Sequence, residues 1–461
     1  MKTTLTKTAI VVLAAAFVLM DVAGAAWAGE LKFNPFVTGQ YLSDSNVYKF
    51  SGQVAQVTGT RETDDRIQRY TAGIDAVYAW QQQELRAVVE GRRFSFKKFK
   101  HLDHREYALD AGYAGSLLSN TTGLLNFRDE RRMASFEDRR TTQLTMERDQ
   151  IGRGALSIGV TPEWHLLVGA HGRNLRSPLP DAPALPQPPP GAPARKASPD
   201  FGLHEAGYNA GVQFGIEDKK NPENEAPLLL GVMMEYTTVG FSGVTPQPAA
   251  ATPPPAGQPL PLPLPLPGLA PASGGTAAPE TFGDYRLLTL EATAKYAVSG
   301  LSSFDGKLGA TQYNPKRSSA KSRPALTGEI GVTRKFSGVT ALDAHLFRRI
   351  SAYVATADVA TDTGVSIGAN WEPILDITVL VNYAWATSTF GDTRGIAPEN
   401  TGRSDKVQNA TLSIGRPLFR LFGVRLFGSY SDRKSNLAYN DYTDNIVGAE
   451  LSFRWGQGDA E

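Results

Sequence analysis

The sequence has no cysteine in its 461 residues, so disulfide stabilisation and thiolate chemistry are both excluded. It also lacks any run of the ~18 consecutive apolar residues that a membrane-crossing helix needs. Excess charge of one sign is missing as well. With 47 basic against 46 acidic side chains, the chain carries no electrostatic footprint for nucleic acid, and none is expected as a partner. Nucleotide chemistry has no loop to sit on, because Gly300 to Gly306-Lys307 has the wrong spacing and no Ser or Thr follows. No Gly-x-Ser-x-Gly elbow occurs. A Ser/His hydrolase built from distant residues needs no local motif, but nothing favours one. No cofactor and no enzymatic activity are expected.

The first residues set the compartment. Lys2 and Lys7 form a basic start, Ala9–Met20 is apolar, and Ala26-Trp27-Ala28 presents small residues at the two positions a signal peptidase reads. The expectation is a cleaved signal peptide over 1–28, with Ala26 and Ala28 at the cleavage site, and a mature region over 29–461. Removing Lys2, Lys7 and Asp21 leaves 47 − 2 = 45 basic and 46 − 1 = 45 acidic residues.

What the chain does have is glycine (45), tyrosine (16) and phenylalanine (21), a bias towards β-structure. The apolar residues recur with a period of two. Tyr70, Ala72, Ile74, Ala76, Tyr78 and Trp80 alternate with Arg69, Thr71, Gly73 and Asp75. Leu288, Leu290, Ala292, Ala294 and Tyr296 alternate with Thr289, Glu291, Thr293 and Lys295. Val447, Ala449, Leu451, Phe453 and Trp455 do the same against Glu450, Ser452 and Arg454. Successive side chains of a strand point to opposite faces, so each segment has one apolar and one polar face. These segments run longer than the ~5–6 residues of soluble strands and suit tilted membrane strands of ~9–11 residues.

The connections alternate in length. Long ones fall near 43–66, 97–104, 129–140, 174–203, 241–284, 315–325, 351–361, 389–405 and 434–444. Between them come short ones near 81–83, 115–121, 161–163, 217–226, 298–302, 337–339, 372–375 and 417–422. If 141–161 is a single kinked strand around Gly152 and Gly154, the pattern describes an all-β, antiparallel transmembrane barrel of the Gram-negative outer membrane. It would have about 18 strands (range 16–20), short periplasmic turns and long outer loops. Trp80, Trp164, Trp371, Trp385 and Trp455 are expected at strand ends, where amphipathic rings collect at bilayer interfaces. Phe453-Arg454-Trp455 resembles the aromatic terminal signal read by the outer-membrane barrel assembly machinery, although Gly456–Glu461 follow it. Proline is concentrated in 178–199 and 246–279, which places those segments in loops, at about 174–203 and 241–284, rather than in the wall.

Charged side chains on the polar face of strands would cost about 2–4 kcal/mol against lipid at mid-bilayer, so they are expected to face the lumen. These are Glu84, Arg86, Glu90, Arg92, Arg128, Glu291, Lys295, Asp343, His345, Arg425, Glu450 and Arg454, with Glu106 and Asp110 beside them. They either tune what passes a pore or pair and plug it. Arg131, Arg132, Arg139 and Arg140 form a basic cluster at the expected mouth, able to attract acidic sugars or to pair with Asp129, Glu130, Glu137 and Asp138. His101, Asp103, His104 and Glu106 have metal-ligand types, but beside Lys97, Lys98, Lys100 and Arg105 they read as a solvated charged turn. No metal is expected.

The chain also resembles the exopolysaccharide-operon outer-membrane proteins known as the EpsL family. The resemblance is carried by Phe33-Asn34-Pro35-Phe36 with Ser43-Asp44-Ser45-Asn46, Arg92-Arg93-Phe94 with Leu102-Asp103, Ala134-Ser135-Phe136-Glu137-Asp138 and Thr161-Pro162-Glu163-Trp164. It continues through Asp284-Tyr285-Arg286-Leu287, Tyr296–Gly300 and Phe304–Gly309. These are expected to be wall motifs. The resemblance implies synthesis or export of extracellular polysaccharide at the outer-membrane step, and brings no catalytic residues. Three roles follow as expectations: a passive conduit, a surface barrel that retains polymer, and, last, a barrel enzyme that modifies it. The expected partners are outer-membrane lipid and lipopolysaccharide, the barrel assembly machinery and extracellular polysaccharide.

Overall fold

The computed structural model describes residues 29–52, 55, 62–137, 142–177, 201–215, 228–242, 284–299, 301–316, 323–353, 358–374, 376–391, 402–419, 421–437 and 440–455. The expected signal peptide with its cleavage site and both proline-rich segments lie outside them. Eighteen strands are present among these residues. They are β1 (Glu30–Asp44), β2 (Asp65–Trp80), β3 (Gln83–Phe96), β4 (His104–Leu118), β5 (Thr121–Met133) and β6 (Met146–Gly159). Next come β7 (Trp164–Ser177), β8 (Phe201–Gly215), β9 (Leu228–Ser242), β10 (Tyr285–Ser299), β11 (Ser302–Pro315) and β12 (Arg323–Ser337). The last are β13 (Thr340–Tyr353), β14 (Asp358–Ile374), β15 (Ile377–Phe390), β16 (Ser404–Phe419), β17 (Phe422–Ser435) and β18 (Tyr442–Arg454). Each pairs antiparallel with its neighbours in sequence. β18 returns to β1 over Phe36↔Arg454 to Asp44↔Ile446, so no strand edge is left open.

β6 is one strand, as the alternation of connections requires. Pairing with β5 and β7 passes Gly152 and Gly154 without a register shift, so no bulge interrupts the strand there. Two-residue connections need backbone that twists with the strands, which explains the positive φ of Gln81 (51°) after β2 and of Asp376 (72°) before β15.

Alternation separates the faces. In β10, Leu288, Leu290 and Tyr296 are exposed, while Thr289, Glu291 and Thr293 on the other face are partly covered. The same apolar, exposed side recurs with Leu31, Phe33 and Val37 of β1, Val212 and Phe214 of β8, and Leu230, Val232 and Met234 of β9. A continuous apolar band around a closed barrel has one stable surrounding, the hydrocarbon of a bilayer. The protein is an outer-membrane β-barrel, with its polar face turned inward. Trp80 ends β2, Trp164 opens β7, Trp371 is near the end of β14 and Trp455 follows β18, all on the short-turn side. Trp385 departs from expectation: it stands within β15, outward, where its neighbour Tyr383 is also exposed.

Close strand approach on the inner face depends on glycine. At Gly309 of β11 a Cβ would lie 2.5 Å from the Leu290 carbonyl oxygen and 2.7 Å from Glu291 Cγ, and overpacking of this kind costs about 1–3 kcal/mol. Gly309→Val is expected to lower the yield of folded, heat-modifiable barrel severalfold on unboiled gels. Gly91→Val, outward and with nothing within 4 Å, should leave it unchanged.

Candidate functional site: a charged lumen wall beneath a folded mouth

At the outer end of β1, Asp44 Oδ1 accepts the Asn46 N–H at 2.8 Å, and the Asn46 side chain closes the following turn. Its Nδ2 donates to the Phe50 carbonyl at 3.0 Å and its Oδ1 accepts the Phe50 N–H at 3.1 Å. Lys49 pairs with Asp444 of β18. This turn delivers Val47, Tyr48 and Phe50 inward onto Ile67, Phe96, Leu102 and Phe136, all buried. Tyr48 is 2% exposed and packs edge-on to Phe136 at 5.2 Å between centroids.

The β5–β6 connection is tied across the mouth. Arg433 Nη2 of β17 donates to the Glu137 carbonyl at 2.6 Å, and the Tyr442 hydroxyl of β18 donates to the Glu137 carboxylate. Arg433 is steadied by Asp405, which also pairs at 2.6 Å with the buried Arg403. The described parts of three outer connections thus form an apolar plug over the sector from β17 through β1 to β5. Burial, reinforced by Asp65, pushes the Tyr48 hydroxyl from 10.0 up to about 12. The folded plug favours the neutral hydroxyl, so this stabilisation is complete below pH 10 and is lost as pH rises through about 12. Channel current noise from plug opening is expected to increase over that window, and Tyr48→Phe should remove this part of the rise.

Below the plug the inner wall carries a ladder of ion pairs. Arg92 Nη1 is 3.0 Å from Glu130 and 3.5 Å from Glu106, and its Nη2 meets Glu90. Arg128 bonds Glu130 at 3.0 Å and faces Asp110 at 3.7 Å. Arg132 reaches Glu147 at 2.9 Å, and Arg173 bonds Asp149 at 2.6 Å. Nearer the periplasmic end, Arg86 holds Asp75 with bonds of 3.0 and 2.8 Å. The opposite wall is sparser: Lys307–Glu329 at 3.2 Å, His345–Glu329 at 3.5 Å and a hydroxyl ladder of Thr289, Thr311 and Thr327 with 3.0 Å steps. Arg425–Glu450 at 2.7 Å stands on β17 and β18, beside β1. Arg86, Asp110, Arg128, Lys307 and Asp343 keep 56, 45, 44, 47 and 50% of their side chains exposed on this inner face, so it borders solvent rather than packed protein. An eighteen-strand barrel has room for such an aqueous interior.

All twelve charged positions read from the alternation stand on this face. Glu84 is exposed there, and Glu291 and Lys295 lie on β10, with Lys295 opposite Asp305 in register. Asp343 is 4.0 Å from His345, and Arg454 is opposite Phe36 at the periplasmic end. Glu130, Glu147, Asp149 and Arg173 belong to the same ladder and obey the same alternation. Glu130 is expected from the sequence only as a partner of the basic cluster, and Arg132 does approach it at 3.5 Å. Glu147, Asp149 and Arg173 give no clear face in the sequence because their strands carry charge on both faces near the outer end.

The two described members of the expected basic mouth cluster do not stand together. Arg131 and Arg132, being adjacent in β5, point to opposite faces: Arg132 joins the inner ladder and Arg131 faces outward. Arg139 and Arg140 lie outside the described residues. The 97–104 segment is a packed corner rather than a solvated turn. Leu102 is fully buried, His104 stacks on Phe94 at 4.6 Å, and Asp103 accepts the Phe96 N–H at 2.7 Å. His101 and His104 diverge, the first to Tyr48 and the Thr142 carbonyl, the second to Glu106 and the Leu102 carbonyl. No group of three metal-ligand side chains occurs among the described residues. Several motifs expected in the wall assemble the mouth instead: Ser43–Asn46 makes its turn, Phe94 and Leu102-Asp103 its corner, and Phe136-Glu137 its strap.

Fold, faces and lumen together define a porin-like outer-membrane barrel. No protein-family model matches the chain, and no curated protein matches it. Among solved structures it is similar to OpdQ of Pseudomonas aeruginosa, at 12% identity, covering 92% of this chain and 98% of that one, with a TM-score of 0.43. It is similar to OccK2 (OpdF) of the same organism, solved in complex with glucuronate, at 10% identity, 92% and 98% coverage and a TM-score of 0.43. It is also similar to the siderophore receptor PirA of Acinetobacter baumannii, at 7% identity, 92% and 80% coverage and a TM-score of 0.44. These likenesses are in barrel architecture.

Proposed function

We propose that the barrel is a passive conduit across the outer membrane, acting in the export of extracellular polysaccharide. The observation that carries the conduit reading is the solvent-bordering inner wall, with half-exposed charges of both signs along its height. Paired charges and hydroxyl ladders exchange hydrogen bonds with a hydrated polymer without trapping it. The polysaccharide assignment is supported by the sequence resemblance to the EpsL family, and insertion by the barrel assembly machinery by Phe453-Arg454-Trp455. In planar bilayers the purified protein is expected to give stable conductance steps. Absence of conductance, even with 178–199 and 246–279 removed, would overturn the conduit. In a strain lacking the protein, polymer should accumulate in the periplasm. Normal release with loss of polymer from the cell surface would instead select a retention barrel.

A further inference from the structure

The outward face of β3–β7 differs from the rest of the band. Just above the apolar belt, Arg93 of β3 is directly opposite Arg105 of β4. One row on, Arg131 of β5 is opposite Arg148 of β6, which is opposite Arg176 of β7. Directly opposed residues in an antiparallel pair have Cβ atoms about 4.5–5.5 Å apart, and like charges there are destabilising. Three such Arg–Arg oppositions on five successive strands therefore call for an anion.

The protein supplies little of it. Asp129 is the one outward carboxylate of these strands, and Arg148 takes it in a two-point contact with Nε at 2.8 Å, while Gln150 donates to it at 3.2 Å. Above β2, Asp64 and Glu62 are occupied by Lys98 at 2.9 and 3.3 Å, which holds Asp64 below the usual carboxylate range. Arg93, Arg105, Arg131 and Arg176 are exposed, and none makes an ion pair among the described residues.

Their height fixes what they meet. Arg93 is opposite Tyr70, and Arg131 is opposite Tyr107; outward tyrosines at this level mark the outer membrane interface. Beneath the row of Asp129, Gln150 and Asn174 the wall is smooth: Gly152 is opposite Gly172, itself opposite Ala206, and at Gly152 a Cβ would meet nothing within 4 Å. A row of guanidinium forks above a shallow apolar strip matches phosphate groups above acyl chains.

We propose that this face is a binding site for phosphorylated glycolipid of the outer leaflet, the diphosphorylated lipid A of lipopolysaccharide. Arg93, Arg105, Arg131 and Arg176 hold its phosphates, with Arg148 anchored by Asp129 at the centre of the row. The site rests on the outer-membrane reading of the fold. It goes beyond the conduit, because it lies on the opposite side of the wall.

The test uses full-length protein folded in detergent and measures binding of diphosphoryl lipid A, dephosphorylated lipid A and inorganic phosphate by native mass spectrometry. The expected result is retention of diphosphoryl lipid A, weakened at least tenfold in the combined variant Arg93→Gln, Arg105→Gln, Arg131→Gln and Arg176→Gln. Dephosphorylated lipid should bind poorly, and inorganic phosphate at equal concentration should not compete. A charge-matched control, Arg286→Gln, Arg348→Gln, Lys406→Gln and Lys434→Gln, removes outward cations from other strands and should bind normally. Equal affinity in the two variants overturns the site. Displacement by inorganic phosphate reduces it to a free-phosphate patch and overturns the lipid assignment. Both variants are surface changes and should keep the heat-dependent gel shift of the folded barrel. A wild-type protein lacking that shift would overturn the fold reading instead.

Discussion

Replacing Arg86 and Arg128 together by glutamate is expected to make the channel strongly cation-selective. Both guanidinium groups project from the inner wall with about half their surface in solvent, so a passing ion feels them directly. The double reversal changes the wall charge by four units. A unit charge about 7 Å from an ion contributes roughly 0.6 kcal/mol in water, and screening at 0.1 M salt about halves that. Favouring cations and disfavouring anions together, the change should raise the cation-to-anion permeability ratio by at least about tenfold. At 1 M salt, where the Debye length falls to about 3 Å, most of the shift should vanish. Folding should tolerate the change, because exposed ion pairs contribute only about 0–1 kcal/mol each and Glu130 keeps Arg92 and Arg132. Reversal potentials across a salt gradient read the effect directly. An unmoved reversal potential would mean that ions do not pass this wall.

Phe136→Asp is expected to open the mouth and leave the barrel intact. Phe136 is 4% exposed and packs against Tyr48 within the plug. Burying an aromatic of this size stabilises by about 1.5–3 kcal/mol, and an unpaired carboxylate put in its place would remain charged only by leaving the cluster. The Glu137 strap next to it would lose its approach to Arg433 and Tyr442. The outward band and the strand pairings contain none of these contacts, so the gel shift of the folded barrel should persist. Single-channel conductance should rise, because the covered sector from β17 to β5 becomes part of the opening. Unchanged conductance with normal folding would show that the plug does not limit flow.

The wall was legible in the sequence because a period of two needs only local information: each residue's face follows from its neighbours, as along Leu288–Tyr296. Strand number followed from connection lengths, with Met146–Gly159 running through Gly152 and Gly154 as one strand. The mouth was not legible. Tyr48 and Phe136 are far apart in the chain, and apolar residues within loops give no periodic signal of where they pack. Arg131 and Arg132 show the opposite failure. Counted as a cluster they looked like one patch, whereas the alternation that identified β5 already separated them onto two faces.

The most direct test uses the absence of cysteine, which makes single-cysteine variants free of background labelling. Thr289→Cys, Glu291→Cys and Thr293→Cys place a thiol on the inner face of β10, and Leu288→Cys, Leu290→Cys and Ala292→Cys place it on the outer. In liposomes carrying the folded protein, a membrane-impermeant maleimide small enough for the channel should label the first set and leave the second unlabelled. Equal labelling of both sets would contradict a membrane-spanning barrel with a water-filled lumen, and labelling confined to the second set would contradict the assignment of its faces.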